Sequence, residues 1–126
     1  MNIYQEELLD HYRNPRNRRR IEFPDFSSGH HNPSCGDDIL FEGTFEQGVL
    51  ARVGFQGSGC VISQGLASML SQKVTGMSVG DILLLNSEDV KKIIGMTLGP
   101  NRLRCALLPL QALHEGVRVY VATQGE

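Results

Sequence analysis

Between residues 2 and 14, Ile3, Tyr4, Leu8, Leu9 and Tyr12 recur at mixed three- and four-residue spacings, which predicts an amphipathic helix. Pro15 ends it, because a proline pushes the residue before it out of the helical region. The periodicity then fades through an arginine-rich stretch, and residues 26–31 read as a short edge strand. Two-residue alternation follows. Ile39, Phe41 and Phe45 alternate with Glu42, Thr44 and Glu46, and beyond Gln47-Gly48 the residues Val49, Ala51, Val53 and Phe55 alternate again. This predicts an antiparallel hairpin with one buried face, turning on Gly48, which tolerates the left-handed conformation of a tight turn.

From Val61 the period changes, and Ile62, Leu66, Met69, Leu70 and Val74 mark one face of a helix that ends near Gly76. Ser78 and Ser87 are expected to cap two shorter helices, over residues 82–85 and 90–94. Leu103, Leu107, Leu110 and Leu113 form a stripe on a last helix, which Pro109 should bend or deprive of a hydrogen bond. The tail at residues 117–122 is β-prone and receives no place.

Composition narrows the class. With 126 residues, 40% of them apolar, the chain fits one domain spanning residues 1–126, with one core and no need of disulfides. A net charge of -2 argues against a dedicated nucleic-acid binder, even though Arg13, Arg16, Arg18, Arg19 and Arg20 cluster within eight residues. No aromatic platform is interleaved with them, so a solvated patch or protein-docking surface is the expectation. No apolar run exceeds four residues, so neither a membrane span nor a signal-peptide core is expected, and the protein reads as cytoplasmic. There, an odd set of three cysteines points to metal binding or sulfur chemistry rather than to disulfides.

A two-residue turn at Gln47-Gly48 sets Glu46 opposite Val49. The same register carried outward brings Cys35 opposite Cys60 at one end of the sheet. Cys60 ends Gly57-Ser58-Gly59-Cys60, where strand gives way to helix, and Cys105 lies near the start of the last helix. Helix N-termini favour thiolate over thiol. Asp37 follows Cys35 by two residues, and Gly36 between them permits a sharp loop in which both side chains face one centre. Three thiolates and one carboxylate make a tetrahedral set that zinc accepts and that iron–sulfur chemistry also uses. A carboxylate holds a soft iron–sulfide centre less tightly than a fourth thiolate would, so such a site can release its contents. These residues leave open whether Cys105 folds back to the other two. Each cysteine taken alone also fits a small buried apolar residue, and Asp37 alone fits a turn or helix cap. Asp38 should face solvent. His30 and His31 read as a surface pair rather than as ligands, and His11 and His114 as structural or surface residues on helices.

Four segments together resemble the NifU-type iron–sulfur cluster scaffold family: Leu9-Asp10-His11-Tyr12-Arg13-Asn14-Pro15-Arg16-Asn17, Asn32-Pro33-Ser34-Cys35-Gly36-Asp37, Gly57-Ser58-Gly59-Cys60-Val61-Ile62-Ser63 and Arg104-Cys105-Ala106-Leu107-Leu108. They occur in the family's order and span roughly residues 4–115. The resemblance implies an α+β fold, a small antiparallel sheet with helices packed on one side, in which Cys35, Asp37, Cys60 and Cys105 converge on one exposed site. It also implies a protein that accepts sulfur as persulfide from a cysteine desulfurase, binds iron, and passes a nascent, transient 2Fe-2S cluster to acceptor or carrier proteins; the charge and the short apolar runs, for their part, argue against nucleic acid or a membrane as partner.

The departures bear on subfamily. Housekeeping scaffolds carry histidine before the third cysteine, where this chain has Arg104. They also carry a leucine-proline-proline-valine-lysine chaperone motif where this chain has Leu98-Gly99-Pro100-Asn101-Arg102. Arg104 and Cys60-Val61-Ile62-Ser63 instead resemble the sulfur-mobilisation branch, described as zinc-bound sulfur acceptors, yet that branch's usual insertion is missing, with 44 residues between Cys60 and Cys105. The leading expectation is a non-enzymatic scaffold in which Asp37 is the labile ligand. The alternative is a zinc-bound sulfurtransferase partner of a desulfurase, with zinc on the same four residues. In both, Cys105 is the candidate sulfur acceptor, and Arg104 is a candidate gating charge that holds Cys105 or Asp37 as an anion, if it is not simply solvated. A purely structural zinc module ranks last, because closed structural sites usually use cysteine and histidine without a carboxylate.

Overall fold

A computed structural model describes residues 2–124. The elements run α1 (Ile3–Arg13), β1 (Phe26–Asn32), β2 (Asp37–Glu46), β3 (Val49–Ser58), α2 (Val61–Val74), α3 (Val79–Leu84), α4 (Ser87–Ile94) and α5 (Pro100–Gln124). The strands form an antiparallel sheet in the order β1-β2-β3. Helices α5 and α2 pack against one face of it, and α1 lies on α2. The α+β architecture expected from the resemblance is the one observed. Ile39, Phe41, Leu50, Val53 and Phe55 from the sheet meet Leu66 and Leu70 of α2 and Ala106, Leu113 and Val117 of α5 in a core from which water is excluded. Among the described residues no helix is long and apolar enough to cross a membrane.

The hairpin turns on Gln47-Gly48 as expected, with both residues left-handed at φ 52° and 79°. Gly48 takes this conformation freely, whereas Gln47 bears a cost of about 1 kcal/mol. The expected register survives only next to the turn, at Glu46↔Val49 and Phe45↔Leu50. A bulge then inserts Ala51 as an extra residue on β3, and pairing continues as Thr44↔Arg52 through to Asp38↔Ser58. Because side chains alternate with period two, the extra residue reverses the face of everything on the turn side of it. Leu50 is therefore buried while Val49 is exposed, which corrects the expected run of Val49 and Ala51 on the core face.

The sheet's other face is also occupied, contrary to the expectation of a single buried face. The segment after α1 runs beside β3, where Phe55 donates its N–H to the Asn17 carbonyl at 3.0 Å, and then crosses over Gly54, a residue too closely covered by the Arg19 backbone and Ile21 to carry a side chain. Here the arginine cluster is largely structural. Arg18 donates to the Gly57 carbonyl (3.1 Å), Arg19 to the Val53 carbonyl (3.3 Å), and Arg20 to the buried Glu42 carboxylate (2.7 Å), while Arg16 pairs with Asp10 at 2.6 Å.

Two further expectations change. Asn86, not Ser87, caps α4, because its side-chain oxygen accepts from the N–H groups of Glu88 and Asp89 while the Asp89 carboxylate accepts from the Asn86 N–H. Ser78 caps α3 as expected. The β-prone tail continues α5 as helix: Val117 is buried and Tyr120 stacks on Phe45 with ring centroids 4.5 Å apart, so tertiary contact outweighs a weak strand preference. The helix runs through Pro109, which has no N–H to donate to the carbonyl of Cys105 one turn earlier.

His11 and His114 are buried rather than on the surface. His11 Nδ1 lies 2.8 Å from Ser68 Oγ, and His114 Nε2 lies 2.8 Å from the Ile82 carbonyl. Burial is the main cause that holds both below the ordinary imidazole value of 6.5. The unfolded chain therefore binds more protons than the folded one as pH falls through that value, so these residues contribute full stability above it and less below it. The urea midpoint should decline from about pH 7 to about pH 5, before the carboxylates titrate, and His11→Gln should flatten the decline. A midpoint that is constant across this window contradicts neutral burial.

Candidate metal centre

The site forms where β2 begins, α2 begins and α5 passes. Asp37 is the first residue of β2 and is 3% exposed. Its Oδ1 accepts the Cys60 N–H at 3.1 Å, and its Oδ2 accepts the Cys60 thiol at 3.1 Å. Burial works to raise its pKa, but hydrogen bonds from the Cys60 thiol, the Ser63 hydroxyl, the Cys60 amide and the Cys105 thiol outweigh that and hold the carboxyl below 3.8. Asp37 is thus a buried anion in place.

Cys60 is the N-cap of α2, as the strand-to-helix transition suggested, and its sulfur accepts the Ser63 N–H at 3.4 Å. Gly59 just before it sits at φ 146°, and a Cβ there would collide with the Asp37 carboxylate. Glycine is required at this point both for the backbone conformation and for the close approach of the acid. Cys35 lies in the turn between β1 and β2, and Gly36, at φ 77°, makes the sharp loop that the sequence suggested.

Cys105 does fold back to the others. Its Sγ lies 3.8 Å from that of Cys35, and ligand atoms of Cys35, Asp37 and Cys105 all lie within 4.8 Å of one another. Cys60 falls outside this tight group and is joined to it through Asp37. One expectation about Cys105 is corrected. It occupies the sixth position of α5, beyond the first turn where free amides favour a thiolate. Burial, followed by the neighbouring Cys35 and Cys60, pushes its thiol up to about 12. A cation placed among these thiols would relieve that penalty, and metal binding would then displace protons. Three sulfurs and one ionised carboxylate suit zinc or iron, whose centres accept mixed thiolate and oxygen ligands.

The three cysteines open onto a cleft of about 430 Å³ whose wall also carries Arg102 and Arg104. Arg104 is exposed, and among the described residues it makes no hydrogen bond or ion pair. His30 and His31 lie outside the cluster. His30 contacts Glu115 of α5, and His31 is exposed. Asp38 faces solvent as expected, accepting from the Ser58 hydroxyl at 3.1 Å. A larger groove, about 850 Å³, between α1 and the Gly95-Met96-Thr97-Leu98 segment contains no thiol or carboxylate.

Two residues of the site were missed in the sequence. Ser63 is fully buried, with its Oγ 3.3 Å from the Cys60 carbonyl, and Gln64 donates its amide to Ser63 Oγ at 3.1 Å. The signal for Ser63 was its position three residues after a helix cap, where an amide reaches back to the capping side chain.

Gly59→Ala should lower stability by about 1–3 kcal/mol in urea unfolding, since it combines backbone strain with a clash against a buried carboxylate. Gly36→Ala, where a Cβ would meet nothing within 4 Å, should cost only the backbone term, about 1 kcal/mol. Equal losses would show that the contact with Asp37 is unimportant.

The chain matches the family model described as NifU-like N terminal domain over residues 3–126. It is 34% identical over 124 residues to the iron-sulfur cluster assembly scaffold protein IscU of Aquifex aeolicus, covering 97% of this chain and 78% of that one. It is 28% identical to the zinc-dependent sulfurtransferase SufU of Bacillus subtilis, covering 91% and 89%. Among solved structures, a hypothetical protein superposes with a TM-score of 0.82 at 27% identity, covering 92% of this chain and 97% of the other. A putative scaffold protein for the SUF system from Fervidobacterium islandicum shares the fold with a TM-score of 0.79 at 20% identity, covering 93% and 96%. With a family match along nearly its whole length and a third of its residues shared with a relative, the chain belongs to the NifU-like N-terminal domain family.

Proposed function

We propose that the protein is an assembly scaffold for iron–sulfur clusters, with iron and sulfide as cargo held by Cys35, Asp37, Cys60 and Cys105 and then passed to acceptor proteins. The observation that carries this reading is the convergence of three thiols and one buried, ionised carboxylate, from a turn, a strand and two helices, on an open cleft. The scaffold named in the Aquifex aeolicus relative supports it. The three free cysteines suit the reducing cytoplasm expected from the sequence.

The sulfur donor in this reading is a cysteine desulfurase carrying a persulfide. A thiolate of this chain attacks the donor's outer sulfur, the donor's sulfur–sulfur bond breaks, and the donor cysteine leaves as thiolate. Cys105 is the proposed acceptor. Arg102 and Arg104 line the same cleft, and positive charge there favours a thiolate over a thiol. Asp37 is the exchangeable ligand, since an oxygen donor binds a soft centre more weakly than sulfur does.

A second reading, a zinc-bound sulfurtransferase, is favoured by Arg104 in place of a histidine ligand and by the zinc-dependent activity named for the Bacillus subtilis relative. The same four residues would then hold zinc until one thiolate, that of Cys105, exchanges off to receive sulfur.

Incubating metal-free protein with a desulfurase, cysteine and ferrous iron separates the two. A coloured cluster that moves to an apo-acceptor is the expected outcome. Tight zinc with desulfurase stimulation and no cluster supports the sulfurtransferase, and zinc with neither response leaves a structural module. Asp37→Ala should lengthen cluster lifetime several-fold, followed by decay of visible absorbance. A shortened lifetime contradicts the labile-ligand role. Arg104→Ala should slow persulfide formation, which time-resolved mass spectrometry can follow, and an unchanged rate makes Arg104 a solvated side chain.

A further inference from the structure

We propose a further activity for the Cys35 and Cys105 pair: once a persulfide stands on one of them, the other cleaves it, releasing sulfide and leaving a Cys35–Cys105 disulfide. This rests on the reading of the site as a sulfur acceptor and extends it from receiving sulfane sulfur to reducing it.

The geometry singles out this pair. The two sulfurs are 3.8 Å apart, and Cys60 falls outside the group of Cys35, Asp37 and Cys105 whose ligand atoms lie within 4.8 Å of one another. Cys105 is 9% exposed and fixed on α5. Cys35 is exposed on a turn, where its thiol makes only a long contact of 4.0 Å with the Asn32 carbonyl, and Gly36 beside it has open space around it. Cys35 is therefore the member that moves. Reaching a bonding distance of about 2.05 Å requires a shift of about 1.8 Å, within reach of a side-chain rotation on an exposed turn.

Proximity also decides which atom is attacked. With the persulfide on Cys105, the atom facing Cys35 is the inner sulfur, Sγ itself. The Cys35 thiolate attacks it, the Cys35–Cys105 bond forms, and the bond from Cys105 Sγ to the outer sulfur breaks. The outer sulfur leaves with the bonding pair as hydrosulfide. It gains two electrons, which the two cysteines supply by becoming a disulfide, and one negative charge enters with the thiolate as one departs. With the persulfide on Cys35 the roles exchange and the products are the same. The leaving anion emerges into a cleft that carries Arg102 and Arg104. A dithiol reductant returns the pair to thiols for another round.

The test loads the metal-free full chain from inorganic polysulfide under anaerobic conditions, removes excess reagent, and follows released sulfide and peptide masses without added thiol. The expected result is sulfide in equal amount to a peptide pair linked through Cys35 and Cys105. Cys35→Ser and Cys105→Ser, checked for folding by circular dichroism, should each retain persulfide on the remaining thiol, with sulfide release reduced about tenfold or more. The proposal is overturned if wild-type protein keeps its persulfide, if the persulfide only migrates between the two cysteines, if the linkage involves Cys60, or if either variant releases sulfide at the wild-type rate. A parallel arm loads sulfur from a desulfurase and cysteine. Failure of that arm alone overturns the desulfurase partnership and not the cleavage chemistry.

Discussion

The buried carboxylate of Asp37 is the interaction on which the site is built. A carboxylate taken out of water without partners is costly by several kcal/mol, on the order of 3–5 when a buried charge is left unpaired. Here the amide and thiol of Cys60, with help from Ser63 and Cys105, keep it ionised. Those bonds lock the first residue of β2 to the N-terminus of α2, and they require Gly59 to have no side chain. The same contact therefore fixes how the sheet passes into its first packed helix and sets two donor groups side by side.

Rigidity is distributed unevenly around that contact. Asp37, Cys60 and Cys105 sit on a strand, a helix cap and the flank of a long helix, all backed by core. Cys35 alone lies on an exposed turn. Three of the four candidate ligands are thus held by packed elements, and the fourth, Cys35, by a turn alone.

The arginine cluster acquires its meaning only from the fold. Arg18 and Arg19 donate to carbonyls of β3, and Arg20 pairs with Glu42, which is 2% exposed. A sheet of three strands has little hydrophobic cover to spare, and this segment covers its second face with one buried apolar residue, Ile21, and these cation bonds. Arg13 belongs to the same cluster in sequence, but it is exposed, and among the described residues its side chain makes no hydrogen bond or ion pair.

Local sequence determined much of the architecture. The α1 and α2 helices, the hairpin turn at Gln47-Gly48 and the cap at Ser78 all follow from short-range periodicity and turn chemistry, which operate within a few residues. The pairing of Asp37 with Cys35 across Gly36 was legible for the same reason. Tertiary structure decided the rest. The bulge at Ala51 arises because Leu50, rather than Val49, must reach the core, a choice that alternation along one strand cannot register. The tail is helix because Val117 and Tyr120 find partners on a distant sheet. Motif resemblance pointed to the arrival of Cys105 beside Cys35, but its distance, its burial and the elevation of its thiol pKa depend on how α5 crosses the head of the sheet, a relation between residues 70 apart that no local pattern encodes.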